Sequence, residues 1–231
     1  MRYATEDLLK KLHIIIDDVK RADEYDDFDA DKDSELREAL LTASEQIAKG
    51  GMAGLVEPSD VISSLGSNQD YDAIQTQYVD GHGTLVLPRD FLLLGELKLQ
   101  SWSQPVRELM DPSSDEAKHQ ASRWSCGSPQ KPKAMLSSAS NGDRVIEYWK
   151  AGRYQYPMGE QLSSVYNHLI ERFTYVPKPR YETDETTKKE QLVAPLSEGA
   201  EKMLLYRAAG IYMEGKKEST LADRFYNISK Q

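Results

Sequence analysis

The sequence predicts an α+β protein: a helical bundle built from N- and C-terminal helices, with a small antiparallel β module inserted between them. Three patterns carry that expectation. Apolar residues recur with a 3.6-residue period near both chain ends, short alternating runs bounded by Gly, Pro and Asn fill the middle, and no terminal helix can bury its apolar stripe alone. Packing the first helical pair against the last resolves the third point. The corresponding division is 1–56 with 192–231 as helical core, 57–82 as a long connecting loop, 83–177 as the β module with one short helix, and 178–191 as a polar loop.

Leu8, Leu9, Leu12, Ile15, Ile16 and Val19 form one stripe and predict a first helix over 5–20, with Thr5 placed to cap it. Leu36, Ala39, Leu40, Ala43 and Ile47 predict a second over 33–49, stopped by Gly50-Gly51. Residues 52–77 lose periodicity and read as an irregular connection, with a short helix near 58–64. Strand-like runs follow at 83–88 and 91–102, and the chain stays extended through Leu109. Ser113 and Glu116 match a capping box behind Pro112 and predict a short helix ending near Trp124. Ser140-Asn-Gly-Asp143 joins strands at 134–138 and 144–150, Asn-Gly being the strongest short hairpin signal. Residues 160–176 fit a helical turn followed by a strand, and polar 178–191 reads as a solvated loop or one ordered by a partner. Two further helices are expected, over 197–214 and after Gly215-Lys-Lys217.

Lys and Arg total 29 against 38 Asp and Glu, a net charge of -9, which argues against a protein that wraps nucleic acid on its outside. The single Cys126 excludes an internal disulfide or a CxxC pair and points to a reducing compartment. Apolar runs are far too short for a membrane span, and the acids among the first seven residues speak against a signal peptide. The expectation is a soluble protein made in the cytosol, without membrane partners.

Candidate chemistry is sparse. Between Asp23 and Asp33 seven acids face only Lys32, and Asp29, Asp31 and Asp33 copy the first three ligand positions of a calcium loop. Ser34 stands where that loop needs glycine, and Leu40 where it needs a bidentate Glu, so the block reads as a solvated or partner-facing loop. Cys126 lacks a sequence-adjacent activating group, and His13, His82, His119 and His168 show no zinc spacing. Asp80-Gly-His-Gly-Thr84 is no phosphate loop, and the aromatic and basic residues from Tyr148 to Tyr156 show no RNA-binding motif. No catalytic residue, cofactor or metal is assigned, and the chain is read as a non-enzyme. The alternatives are a small soluble enzyme and a calcium-binding regulatory module.

The order of elements resembles the head-to-tail adaptor, or connector ring, proteins of tailed bacteriophages. The resemblance rests on a first helix over 5–19 and a second like Glu35-Leu-Arg-Glu-Ala-Leu-Leu-Thr-Ala-Ser-Glu-Gln-Ile-Ala48. It continues through Leu87-Pro-Arg-Asp-Phe91 and Gly127-Ser-Pro129 to a C-terminal pair at 203–213 and 219–226. The larger β module and the long loops at 23–33 and 178–191 are more similar to podovirus-type necks than to minimal four-helix adaptors. The resemblance implies a structural virion protein: a homo-oligomeric ring of twelve copies seated under the portal protein. It would present a platform to tail or further neck proteins, and DNA would pass through its lumen without specific binding. Asn68, Tyr71, Tyr78, Asn141, Gly142 and Tyr181 are read as ring or tail contacts. Phe225, Tyr226, Ile228 and Gln231 are read as part of a portal-docking C-terminus, and deletion of 219–231 is expected to leave a soluble protein that no longer binds portal.

Overall fold

The computed structural model describes residues 2–17, 30–50, 75–79, 81–119, 127–140, 142–158, 161–166, 170–196 and 198–230. The chain divides into two compact units, Met1–Glu57 with Val176–Gln231, and Pro58–Tyr175.

The first unit joins the two chain ends. Strand β1 (Arg2–Ala4) leads directly into helix α1 (Thr5–Asp17), and α2 (Ala30–Lys49) follows. The C-terminal part supplies β10 (Arg180–Thr183), β11 (Glu190–Val193), a short 3-10 turn (Glu198–Ala200), α4 (Glu201–Gly215) and α5 (Ser219–Ser229). Leu36, Leu40, Ala43 and Ile47 on α2 lie at offsets of 0, 4, 7 and 11, the repeat of one helix face, and all are buried. They join one core with Leu8, Leu12 and Ile16 of α1, Leu204, Ala208 and Met213 of α4, and Phe225 of α5. The Ala208-Ala209-Gly210 run lets neighbours come close to α4: a Cβ on Gly210 would stand 2.6 Å from the Tyr226 ring of α5. The turn between these helices is closed by Glu218 N–H donating to Met213 C=O and Lys217 N–H to Glu214 C=O, with Lys217 at φ 63. That is a Schellman-type stop, with a lysine in the left-handed position where glycine is commonest.

The expected helical bundle with a small β insert is overturned. Among the described residues eleven strands accompany five α-helices, and the strands are not confined to an insert. The helix-rich unit carries its own antiparallel sheet, ordered β1-β11-β10. Residues 178–191, whose composition suggests a polar loop, supply β10 and the start of β11, with Tyr181 opposite Leu192. Such short strands have too few inward positions for alternation to show; Leu192 alone is fully buried. The hairpin is closed by Asp184, whose carboxylate accepts from the N–H groups of Thr186 and Thr187 at 2.9 and 2.7 Å, holding its pKa below the usual carboxylate range.

Two tyrosines tie this unit together. Tyr181 Oη donates to Arg37 C=O at 2.9 Å, and burial pushes its hydroxyl well above the ordinary range. Tyr226 Oη donates to Glu214 at 2.7 Å; burial first, then that hydrogen bond and the Glu214 charge, push it from near 10 up to about 12. The fold therefore favours the neutral phenol. Its stabilising contribution is complete below pH 10 and is lost as the pH rises through about 12. Thermal unfolding followed between those values is expected to show a steep loss of stability, and Tyr226→Phe a shallower one; identical slopes would contradict the assignment.

The second unit is β-rich. Strands β2 (Gln75–Val79), β3 (His82–Val86), β5 (Lys133–Ser138) and β6 (Arg144–Trp149) form a sheet in the order β2-β3-β6-β5. Strands β4 (Phe91–Leu99) and β9 (Ile170–Pro177) pair separately, as do β7 (Arg153–Met158) and β8 (Gln161–Tyr166). The Asn-Gly signal yields the expected β5–β6 hairpin, with Ser138 opposite Arg144 and Gly142 at φ 87. Two expectations change. Residues 161–166, read as a helical turn, form β8, because the apolar spacing there fits both periods and pairing with β7 decides. Residues 75–79, placed in the connecting loop, form β2 against β3. The segment at 51–74 and its expected short helix lie outside the described residues.

The short helix starts one residue later than the capping box suggests. Ser114 caps α3 (Asp115–Lys118) by accepting from Ala117 N–H at 3.2 Å, while Asp111 takes Ser113 N–H at 2.8 Å. Chain 99–106 turns back, so that Val106 pairs with Leu97 instead of extending β4. The core of this unit gathers Leu85, Phe91, Leu97, Leu99, Trp102, Ile146, Tyr148 and Phe173. Trp102 stands edge-on to Tyr148 at 5.7 Å and donates Nε1–H to Lys150 C=O.

Candidate interaction site

Residues in the first unit build one apolar groove. Helix α1 places Lys11, Ile14 and Ile15 on one side, three and four residues apart; α4 places Leu205 and Tyr206 on the other, with Gly199 at the end. The groove has a volume of about 610 Å³. Ile14 is 60% exposed, the only large apolar residue so exposed among those described. The reason is local: Ile14, Ile15 and Ile16 are consecutive, so a helix whose Ile16 points into the core must turn Ile14 outward. Lys11 and Glu201 form an ion pair at the rim, and Glu201 holds the Lys11 ammonium above its usual range through that hydrogen bond first and its charge second. The arrangement is an exposed ion pair beside a small apolar floor. The sequence signal was the isoleucine triplet, one of whose members any amphipathic helix must expose.

The residues singled out from the sequence fall differently. Phe225 is 1% exposed in the core, so it anchors α5 and presents nothing to a partner. Tyr181 is engaged inside its own unit with Arg37. Tyr226 and Ile228 are half-buried on α5, and the exposed positions of that helix are Ser219, Thr220, Asp223, Arg224 and Asn227. Gly142 sits at the β5–β6 turn, where an added Cβ would meet nothing. Tyr78 lies in β2. Asn68, Tyr71, Asn141 and Gln231 lie outside the described residues. Phe225, Tyr226 and Ile228 share α5, Tyr181 lies in β10, and Tyr78 and Gly142 belong to the other unit.

Of the three acids weighed as calcium ligands, Asp33 is taken by His13, whose Nε2 lies 2.9 Å from Oδ1 and links α1 to α2. Asp29 lies outside the described residues, and Asp31 is placed only as part of α2. Among the described residues no cluster of three potential metal ligands occurs, and no helix is long and apolar enough to cross a membrane. Thr5, expected as a cap, is the first residue of α1 and is buried, its hydroxyl making no hydrogen bond. Strand β1 runs directly into α1, so Thr5 begins the helix instead of preceding it as a cap would.

No protein-family model matches the chain, and no curated protein matches it in sequence.

Proposed function

We propose that the chain is a structural subunit of a phage head-to-tail connector, forming an oligomeric ring between portal and tail around the DNA exit channel. The observation that supports this reading is the discontinuous helix-rich unit: both chain ends fold together and an independent β-rich unit is inserted between them, the element order on which the resemblance rests. The α1/α4 groove adds a surface suited to a protein neighbour, and the net charge of -9 suits a lumen that repels DNA. The virion is the corresponding location.

Electron microscopy of the purified protein, alone and mixed with the portal of the same phage, tests this. Rings with rotational symmetry, twelve-fold by the resemblance, are the expected result; monomers that do not bind portal would overturn the proposal. Deletion of 219–231 is a poor probe, because it removes Phe225 from the core. Ile14→Glu is the better variant: being exposed, the site should tolerate it within about 0.5 kcal/mol, yet a charge in the groove is expected to weaken ring or portal association at least tenfold. Unchanged association would remove the groove from the interface.

A further inference from the structure

Helix α1 exposes a second stripe besides the one it buries. Asp7, Lys10, Ile14 and Asp17 recur at intervals of three, four and three residues, the repeat that lines one seam of a helix, and all four are exposed. Ile14 is the apolar member of this stripe, 60% exposed, with Lys10 one turn before it. In the same unit α2 and the C-terminal end of α4 flank a separate pocket of about 300 Å³. Its floor is apolar, from Ala39, Ile211 and Tyr212, and its rim carries Glu38 and the Glu35–Lys216 ion pair. Lys10 and Glu38 are both exposed, and among the described residues neither belongs to an ion pair.

We propose that Ile14 of one copy of this chain seats in the α2/α4 pocket of the next, with Lys10 of the first copy against Glu38 of the second. The chain itself holds both halves of this contact: an exposed apolar side chain beside a cation, and an apolar pocket beside an anion. Copies with a net charge of -9 repel one another on average, so their association needs a local cation facing a local anion, and charge of opposite sign also fixes the register. With α1 running parallel to α2 of the neighbour, Lys10 reaches the Glu38 end of the pocket as Ile14 meets Ala39 and Ile211. The contact joins two different surfaces, so it propagates head to tail and closes into a ring when the rotation permits. It deepens the connector reading, on which its closure rests, but the contact itself does not depend on portal.

The experiment uses full-length chains carrying Lys10→Glu or Glu38→Lys, with self-association followed by sedimentation velocity. Each variant alone sets like charges against each other and is expected to weaken association roughly tenfold or more. Both positions are exposed, so far-UV circular dichroism should stay unchanged. An equal mixture of the two variants is expected to recover the association of the parent chain, since every contact between unlike copies then has opposite charges. Loss in each variant without recovery in the mixture would overturn the contact, as would a parent chain that does not self-associate either alone or on portal. Rings that survive both reversals would overturn the contact and leave the connector reading standing. Recovery in chains that neither close into rings nor bind portal would retain the contact and overturn the connector reading.

Discussion

Phe225→Ala is expected to destabilise the helix-rich unit by about 3 to 5 kcal/mol, the usual cost of emptying a phenylalanine site in a closed core. Phe225 is 1% exposed and joins α5 to a core that includes Leu204, Ala208 and Met213 of α4. Against a typical domain stability of about 5 to 15 kcal/mol, that loss removes a large fraction of the total. The two units can be read separately. Trp102, Trp124 and Trp149 all lie within Pro58–Tyr175, so tryptophan fluorescence reports the β-rich unit. Helical dichroism at 222 nm reports mainly the other unit, since among the described residues α1, α2, α4 and α5 belong to it and only the single turn of α3 does not. Urea unfolding of the variant should therefore move the 222 nm transition to lower denaturant and leave the fluorescence transition in place. A shift below about 1 kcal/mol would mean that Phe225 does not hold α5 to the core.

Gly83→Val is expected to produce the opposite pattern. Gly83 lies in β3 directly opposite Tyr148 of β6, and the Tyr148 ring lies across it. A Cβ built there falls 2.3 Å from Tyr148 Oη and 2.4 Å from its Cζ, far inside contact distance. Tyr148 is fully buried and packs on Trp102, so the ring has no free volume to move into. Overpacking of this kind costs about 1 to 3 kcal/mol for added methylenes, and a branched residue against an immobile ring belongs at or above the top of that range. Fluorescence should report the loss and the 222 nm signal should not. With Tyr148→Ala added, the total loss should be smaller than the sum of the two single losses, since the clash would then be gone and only the cavity cost would remain. A Gly83→Val protein as stable as the parent would show that the ring does not occupy this space.

Gly83 also illustrates what a sequence conceals. Its neighbour His82 and the surrounding Asp-Gly-His-Gly-Thr pattern suggest a turn leading into a strand, and a strand begins at His82 as that pattern implies. That the glycine makes room for a tyrosine 65 positions away is a property of strand register, which no local pattern encodes.

Helix faces were legible because each long helix must bury one stripe, so Leu36, Leu40, Ala43 and Ile47 declare α2 without reference to anything else. The Asn-Gly turn declared the β5–β6 hairpin for an equally local reason, since few other residues tolerate the backbone found at Gly142. Local reasoning failed where partners far apart in the chain decide the outcome. Residues 180–193 become strands because Arg2–Ala4 and Tyr181 pair across β11, and 161–166 becomes a strand because β7 lies beside it. The candidate site divides in the same way: the sequence alone determined that one of three consecutive isoleucines in α1 must face outward, from helix geometry. Only the tertiary structure decided that Leu205 and Tyr206 of α4 stand beside it, because the burial of Leu12, Ile16, Leu204 and Ala208 sets the two helices against a common core and leaves their outer flanks facing one groove.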